Sequence, residues 1–106
     1  MKGLISILDA NGYPLVGFNS SDCVDTRVLA ATVAEVITVP TGAKKVLFSS
    51  TADFYVKFGA AAAIPVADIT DGSGSELNPK LRSIEGSATI GIISPTSCVV
   101  TIAFYA

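Results

Sequence analysis

The sequence contains no histidine and no tryptophan, and only 15% of its 106 residues are charged. Histidine is the side chain that most often serves as general base and metal ligand, so its absence excludes the Ser-His-Asp and Cys-His arrangements of nucleophilic catalysis. Two cysteines, Cys23 and Cys98, lie 75 positions apart and lack the paired spacing of a zinc site. Asp9 interrupts the first apolar stretch before a signal-peptide core forms, so we expect folding in the cytosol with free thiols.

Basic residues are also scarce. The formal net charge is -2, the isoelectric point is near 4.8, and Lys44 and Lys45 form the only adjacent basic pair. Nucleic-acid binding needs clustered lysine and arginine, and a membrane span needs a longer unbroken apolar run than this chain has. The sequence therefore predicts no direct nucleic-acid partner and no membrane partner. Half of the residues are hydrophobic, which suits a single domain with a real core.

Two segments show the alternation of a β-strand. The C-terminal stretch CVVTIAFY predicts a strand with a buried face, Cys98, Val100, Ile102 and Phe104, and an outer face, Val99, Thr101, Ala103 and Tyr105. The stretch DFYVKF similarly predicts Phe54, Val56 and Phe58 inside, with Tyr55 and Lys57 outside. Tyr55 and Tyr105 are expected to cover the outer strand faces, where a subunit contact could use them.

Turn residues divide the remaining chain into short strands. Asn11-Gly12 between LISIL and YPLVGF predicts a hairpin, whose second arm is an edge because Pro14 cannot donate a hydrogen bond. Residues 33–39 fit a strand better than a helix and end at the turn VPTG. Residues 44–58 predict a meander with a hairpin connection at 50–53.

The last third of the chain continues this pattern. Residues 68–79 predict an exposed loop, 81–84 and 88–93 two strands, and 94–97 a turn. Strands at spacings of roughly ten residues predict an all-β fold, a single antiparallel sandwich or barrel with jelly-roll topology as one option. We expect residues 1–27 to form an N-terminal hairpin or arm that could contact a partner, and 28–106 to form the sandwich domain.

No pattern in the sequence carries catalytic, cofactor or metal chemistry. Asp68, Asp71 and Glu76 do not have the calcium-loop spacing, and GSGSE lacks the Gly-Lys-Ser/Thr of a phosphate loop. The acids that a glycosidase would need in pairs are scattered: Glu35, Asp53, Glu76 and Glu85. We therefore expect no enzyme, no cofactor and no catalytic, cofactor-binding or metal-binding residue.

The apolar character of the chain favours function through its surface. Mean hydropathy is +0.59, which is high for a small monomer and indicates apolar surface in contact with other chains. The run Gly59 to Ala63 would let a backbone approach closely, either a neighbouring subunit or a buried corner of the same sandwich.

The region 36–105 covers about two-thirds of the chain and consists of VITVPTGAKKVLFSSTADFYVKFG (36–59), an Ala/Pro segment, and GSELNPKLRSIEGSATIGIISPTSCVVTIAFY (74–105). This region resembles small β-rich structural proteins of tailed bacteriophages, of the capsid decoration or cement kind. Residues 1 to about 27 show no such match.

The resemblance implies a non-enzymatic virion component, assembled in the cytoplasm of the bacterial host. It would bind the major capsid protein or another virion protein as a homo-oligomer, with a trimer favoured over a dimer. Either the N-terminal hairpin or the 68–79 loop would reach the partner. A receptor- or glycan-binding module of a phage head or tail fibre is the alternative.

Overall fold

A computed structural model of the protein describes residues 1–8, 11 and 14–106, with the backbone alone for 6–8 and 14–18. This part of the chain contains ten β-strands and no helix. The strands are β1 (Ser6–Leu8), β2 (Pro14–Phe18), β3 (Cys23–Leu29), β4 (Glu35–Thr38), β5 (Lys45–Ser50), β6 (Tyr55–Phe58), β7 (Glu76–Leu77), β8 (Leu81–Ser83), β9 (Thr89–Ile93) and β10 (Cys98–Tyr105).

The predicted all-β sandwich is confirmed. Eight strands form two packed antiparallel sheets of four, with orders β3-β10-β5-β8 and β4-β9-β6-β7, while β1 and β2 form a separate two-stranded sheet. We refer to the two four-stranded sheets as the first and the second sheet. Each of these two sheets has an edge strand on both sides, so the structure is a sandwich of open sheets and not a closed barrel.

The core lies between the two sheets, on the faces that the alternation predicts. Val100, Ile102 and Phe104 of β10 are fully buried, and so is Val56 of β6. Three phenylalanine rings interlock at one end of the core, with the Phe48 centroid 5.8 Å from that of Phe54 and 6.3 Å from that of Phe58. Such tilted pairs suit the quadrupole of aromatic rings and give this end of the core a fixed packing.

The predicted meander at residues 44–58 is wrong. Strands β5 and β6 do not pair with each other, because β5 lies in the first sheet and β6 in the second. None of residues 50–53 has the positive φ that tight hairpin turns require, so the chain crosses the sandwich there. Strand β10 takes the place beside β5, with Phe104 opposite Val46, and this long-range pairing replaces the local one.

The other strand predictions agree with the structure. Strand β4 occupies the segment 33–39 that could also fit a helix, and the turn after it contains Gly42 at φ 88°. Strands β8 and β9 occupy the segments 81–84 and 88–93. The 68–79 loop is largely exposed and contains the two-residue strand β7.

The N-terminal hairpin forms a sheet of its own, separate from the sandwich. Strands β1 and β2 pair antiparallel, as predicted, whereas Asp9, Ala10, Gly12 and Tyr13 of the connection lie outside the described residues. The sandwich itself begins at Cys23, because β3 pairs with β10 from Cys23 to Leu29, and so it includes residues 23–27. The molecule measures 50 × 27 × 26 Å, and its radius of gyration of 15.0 Å exceeds the value of about 13 Å for a compact chain of this size.

Candidate interaction surface

Both open sides of the sandwich are bridged by an Arg-Glu pair. On one side Arg27 of β3 lies 3.7 Å from Glu35 of β4, and on the other Arg82 of β8 lies 3.2 Å from Glu76 of β7. Each pair joins the edge strands of the two sheets. Exposed pairs of this kind add little stability, but charges that point inward from an edge strand oppose the addition of a further strand. The edges are therefore poor sites for association.

The outer face of the first sheet has the opposite character. The strand register places nine uncharged residues side by side on this face, which we call the open face, and beyond them at one end of the sheet lie Lys45, Tyr105 and Ser83. The nine residues are Val24, Thr26 and Val28 of β3, Val99, Thr101 and Ala103 of β10, Leu47 and Ser49 of β5, and Leu81 of β8.

Valines dominate the exposed part of the open face. Val24 is 50% exposed and Val28 is 76% exposed, and across the sheet they lie opposite Ala103 and Val99. A sheet face in contact with water normally carries polar and charged side chains. A contiguous uncharged face is typical of a surface that meets another protein.

Residues 60–75, which we call the strap, cover part of the outer face of the second sheet, while Val36 and Leu77 at its edges stay exposed. A Cβ atom at Gly91 of β9 would lie 2.6 Å from the backbone nitrogen of Ala62, and nearer still to the carbonyl oxygen of Ala60. The strap is held further by hydrogen bonds from the Lys57 Nζ to the Ser73 carbonyl (2.9 Å) and from the Ala63 amide to Ser75 Oγ (3.2 Å). The close approach suggested by the alanine run is thus made within the chain, on the second sheet.

The tip of the strap, residues 66–69, is exposed. Val66 is 99% exposed and Ile69 is 48% exposed, with the exposed Asp68 between them, whereas Ala62 of the strap is buried. Because the strap lies on the second sheet, this tip and the open face are on opposite sides of the sandwich. The described structure therefore presents two separate surfaces with exposed apolar side chains, one beside Lys45 and the other containing Asp68.

The structure corrects the prediction that Tyr105 covers an outer strand face where a subunit contact could use it. Its position in β10 is on the outer side, but the residue is only 2% exposed because the N-terminal segment covers it. The Tyr105 hydroxyl donates a hydrogen bond to the carbonyl oxygen of Asn19 (2.8 Å). The Asn19 side chain in turn accepts from the Ile5 amide (2.9 Å) and donates to the Gly3 carbonyl (2.9 Å). Tyr55 lies on an outer face and is half-buried, as expected.

Two carboxylates fix local structure near these surfaces. The Lys2 amide donates to Asp22 Oδ1 (2.8 Å), and this hydrogen bond lowers the pKa of Asp22 below its ordinary value of 3.8. The Ser73 hydroxyl donates to Asp71 Oδ1 (2.6 Å) and lowers the pKa of Asp71 in the same way. Asp22 holds the base of the hairpin, and Asp71 holds a turn of the strap.

A polar pocket of about 450 Å³ opens at the end of the sandwich where β5 ends. Several of its polar groups already bond within the chain: Asn78 donates to Asp53 Oδ1 (2.8 Å) and accepts from the Phe54 amide (3.0 Å). The Thr51 hydroxyl accepts from the Val99 amide (3.0 Å). Lys80 also lines this pocket.

The four acidic residues considered above as possible glycosidase pairs are spread over the fold. Glu35 and Glu76 lie on the two opposite edge strands of the second sheet, and each faces an arginine. Asp53 lies in the crossing between β5 and β6, and Glu85 lies in the turn after β8. Within the described ranges no group of three Asp, Glu or Cys side chains could hold a metal ion.

Both cysteines are free thiols, as predicted, and Cys98 packs in the core with its Sγ 3.6 Å from the Ala52 carbonyl. In the part of the chain that the structure describes, no helix is long and apolar enough to span a membrane. No family model, curated protein or solved structure matches this chain.

Proposed function

We propose that this chain is a non-enzymatic structural protein of a tailed-phage virion, a capsid decoration protein that binds the capsid surface as a homo-oligomer. A trimer is favoured over a dimer, and the partner is the major capsid protein or another virion protein. The proposal depends on one observation: two surfaces with exposed apolar side chains, the open face and the tip of the strap, lie on opposite sides of one sandwich.

Two opposed surfaces are what a decoration protein requires. One surface joins copies of the chain into an oligomer, and the other meets the capsid lattice. Because every copy in the oligomer presents the same tip, weak contacts add through symmetry and multivalency. The exposed apolar residues Val66 and Ile69 suit such repeated contacts, so we assign the tip of the strap to the capsid.

The charge distribution supports the same assignment. Arg-Glu pairs occupy the edges, so neither sheet offers a bare edge that would draw copies into open-ended assemblies. A protein of the virion is made in the bacterial cytoplasm, and the two free thiols suit that compartment.

Binding to phage particles that lack the protein tests this function directly. Saturable, stoichiometric binding is expected. The double substitution Val66→Asp and Ile69→Asp should abolish binding, because it places two charges in the apolar contact. Thr70→Asp in the same strap is the matched control and should bind nearly as well as the wild type. Failure of the wild-type protein to bind the particles would refute the proposal.

The polar pocket supports a second function, a receptor- or glycan-binding module of a head or tail fibre. Lys80 and Asp53, which line this pocket, are polar residues of the kind that bind hydroxyl-rich ligands. Glycan-array binding that is lost in Lys80→Ala, without affinity for stripped particles, would favour this function over capsid decoration.

A further inference from the structure

The order of the strands gathers four connections at one end of the sandwich. From β3 to β10, every connection except that between β6 and β7 joins a strand of one sheet to a strand of the other, which is the order of a jelly roll. The start of β10 pairs with the ends of β3 and β5, and the start of β6 pairs with the end of β9. The connections 30–34, 51–54, 78–80 and 94–97 therefore meet, and we call them the loop end. Jelly rolls occur in viral capsid proteins and in lectins, so the loops and not the fold decide the function.

Hydrogen bonds join the four connections of the loop end into one unit. The Thr32 amide donates to the Ser94 carbonyl (2.8 Å), and the Ser94 hydroxyl donates to the Asp53 carbonyl (2.8 Å). The Phe54 amide donates to Asn78 Oδ1 (3.0 Å), and the Asn78 amide donates to the Phe54 carbonyl (2.9 Å). Ser94 is fully buried, so water does not compete for its bonds. Loops that a rigid scaffold fixes in this way are typical positions of binding sites, because a ligand has little to order there.

The polar pocket lies at the loop end and has the size of a small-ligand site. Its volume of about 450 Å³ falls within the range of roughly 300–1,000 Å³ that such sites occupy. Six of its ten lining residues are polar, and the two aromatic ones, Phe48 and Phe54, are only 4% and 2% exposed. The pocket therefore suits a hydroxyl-rich ligand better than an apolar one.

Two residues of opposite charge, Asp53 and Lys80, line this pocket. None of the ion pairs among the described residues contains either of them, so they do not neutralise each other by direct contact. A carboxylate accepts hydrogen bonds and an ammonium group donates them, whereas a sugar hydroxyl does both. A saccharide can therefore satisfy both residues at once. Because the two charges cancel, the pocket favours a neutral ligand over an acidic or a basic one.

We infer that this pocket binds a neutral saccharide, with Asp53 and Lys80 as its charged contacts. The inference rests on the second function proposed above and adds to it the class of ligand. It also makes the two proposed functions compatible in one chain. Val66 and Ile69, which we assign to the capsid, do not line the pocket. The same copy can therefore attach to a particle and bind a saccharide.

An array of neutral and acidic saccharides, followed by calorimetric titration of the best binder, tests the inference on the full chain. The wild type should prefer a neutral saccharide. Asp53→Asn keeps an oxygen that can accept from Asn78 and removes the charge, so the variant should fold and bind roughly tenfold more weakly. Lys80→Ala should weaken binding by a similar factor. If Asp53→Asn fails to fold, Lys80→Ala still decides the test, because Lys80 is exposed.

Lys44→Ala is the matched control. Lys44 is also an exposed lysine and belongs to no ion pair of the described residues, but it precedes β5, whereas the loop end lies where β5 ends. The control should bind the saccharide as tightly as the wild type does. Circular dichroism shows which variants are folded, and only folded variants are compared.

Four outcomes would overturn the inference: a wild type that binds no saccharide, a preference for acidic saccharides, unchanged affinity in a folded Asp53→Asn or Lys80→Ala variant, or an equal loss of affinity in the control. Particle binding is measured separately, with and without saturating saccharide, and should be the same in both cases. A chain that binds particles and no saccharide refutes this inference alone. A chain that binds the saccharide and ignores particles refutes the capsid function alone.

Discussion

Gly91→Ala is a direct test of the packing between the strap and the second sheet. Gly91 lies in the middle of β9 with its missing side chain on the outer face, against the strap backbone. Its φ is not in the left-handed region, so alanine meets no backbone strain there. At such positions a change from glycine to alanine ordinarily stabilises a protein by about 0.4 to 1 kcal/mol, because it restricts the unfolded chain.

At Gly91 we expect the opposite effect, a loss of stability. The added Cβ would lie 2.6 Å from the Ala62 nitrogen and 2.9 Å from the Ala61 Cα, both backbone atoms that cannot rotate away. Overpacking of this kind costs about 1 to 3 kcal/mol. Either the strap lifts from the sheet or β9 shifts, and in both cases the free energy of unfolding falls.

Urea denaturation of the variant and of Gly74→Ala measures this difference. The nearest heavy atom to a Cβ at Gly74 is 4.0 Å away and its φ is also ordinary, so Gly74→Ala should be neutral or slightly stabilising. Gly91→Ala should be destabilised, with a melting temperature lower by roughly 5 to 15 °C for a domain of this size. Equal stability of the two variants would show that the strap does not rest on Gly91.

Three further predictions concern the core and the base of the hairpin. Phe54→Asp and Phe104→Asp should each prevent folding, because both side chains are buried and would place an unpaired charge in the core, whereas Tyr55→Ser should leave the circular dichroism spectrum unchanged. Tyr105→Phe should lower the free energy of unfolding by about 1 kcal/mol, as urea denaturation would show, because it removes the hydrogen bond to the arm. The pKa of Asp22 is lowered in the folded state, so the stability that the Asp22 carboxylate contributes is present above pH 3.8 and is lost as the pH falls through the lowered value. Amide exchange at the hairpin base should show this loss of stability. Asp22→Asn should remove the pH dependence.

Alternation in the sequence predicted the strand faces because it is a local property. In β10 the period of two placed Val100, Ile102 and Phe104 in the core, and burial of the sheet face follows from that pattern alone. The assignment of strands to sheets is not local. Strands β5 and β6 each carry an apolar inner face, and either one can pair with any strand that presents a matching row of apolar side chains. The hydrogen bond from the Thr51 amide to the Val99 carbonyl joins residues 48 positions apart. No pattern within residues 44–58 could predict such a contact.

Two features of the interaction surface needed the tertiary structure. Alternation correctly put Tyr105 on an outer face, but the segment that buries it lies at the other end of the chain. The position of the strap had a signal in the sequence: Gly91 interrupts the apolar run TIGII, and a glycine inside a buried strand often marks close approach of another backbone. That signal indicates a contact without naming the alanine run as its partner.

The distribution of charge explains why association should use faces and not edges. Arg27 and Arg82 each meet a glutamate of the opposite sheet at an open side of the sandwich, where an added strand would have to displace or desolvate the pair. An added strand gains backbone hydrogen bonds at any free edge, so a fold with bare edges would assemble without limit. Because an Arg-Glu pair lies at each open side of the sandwich, the open face offers an uncharged surface for association that the edges do not.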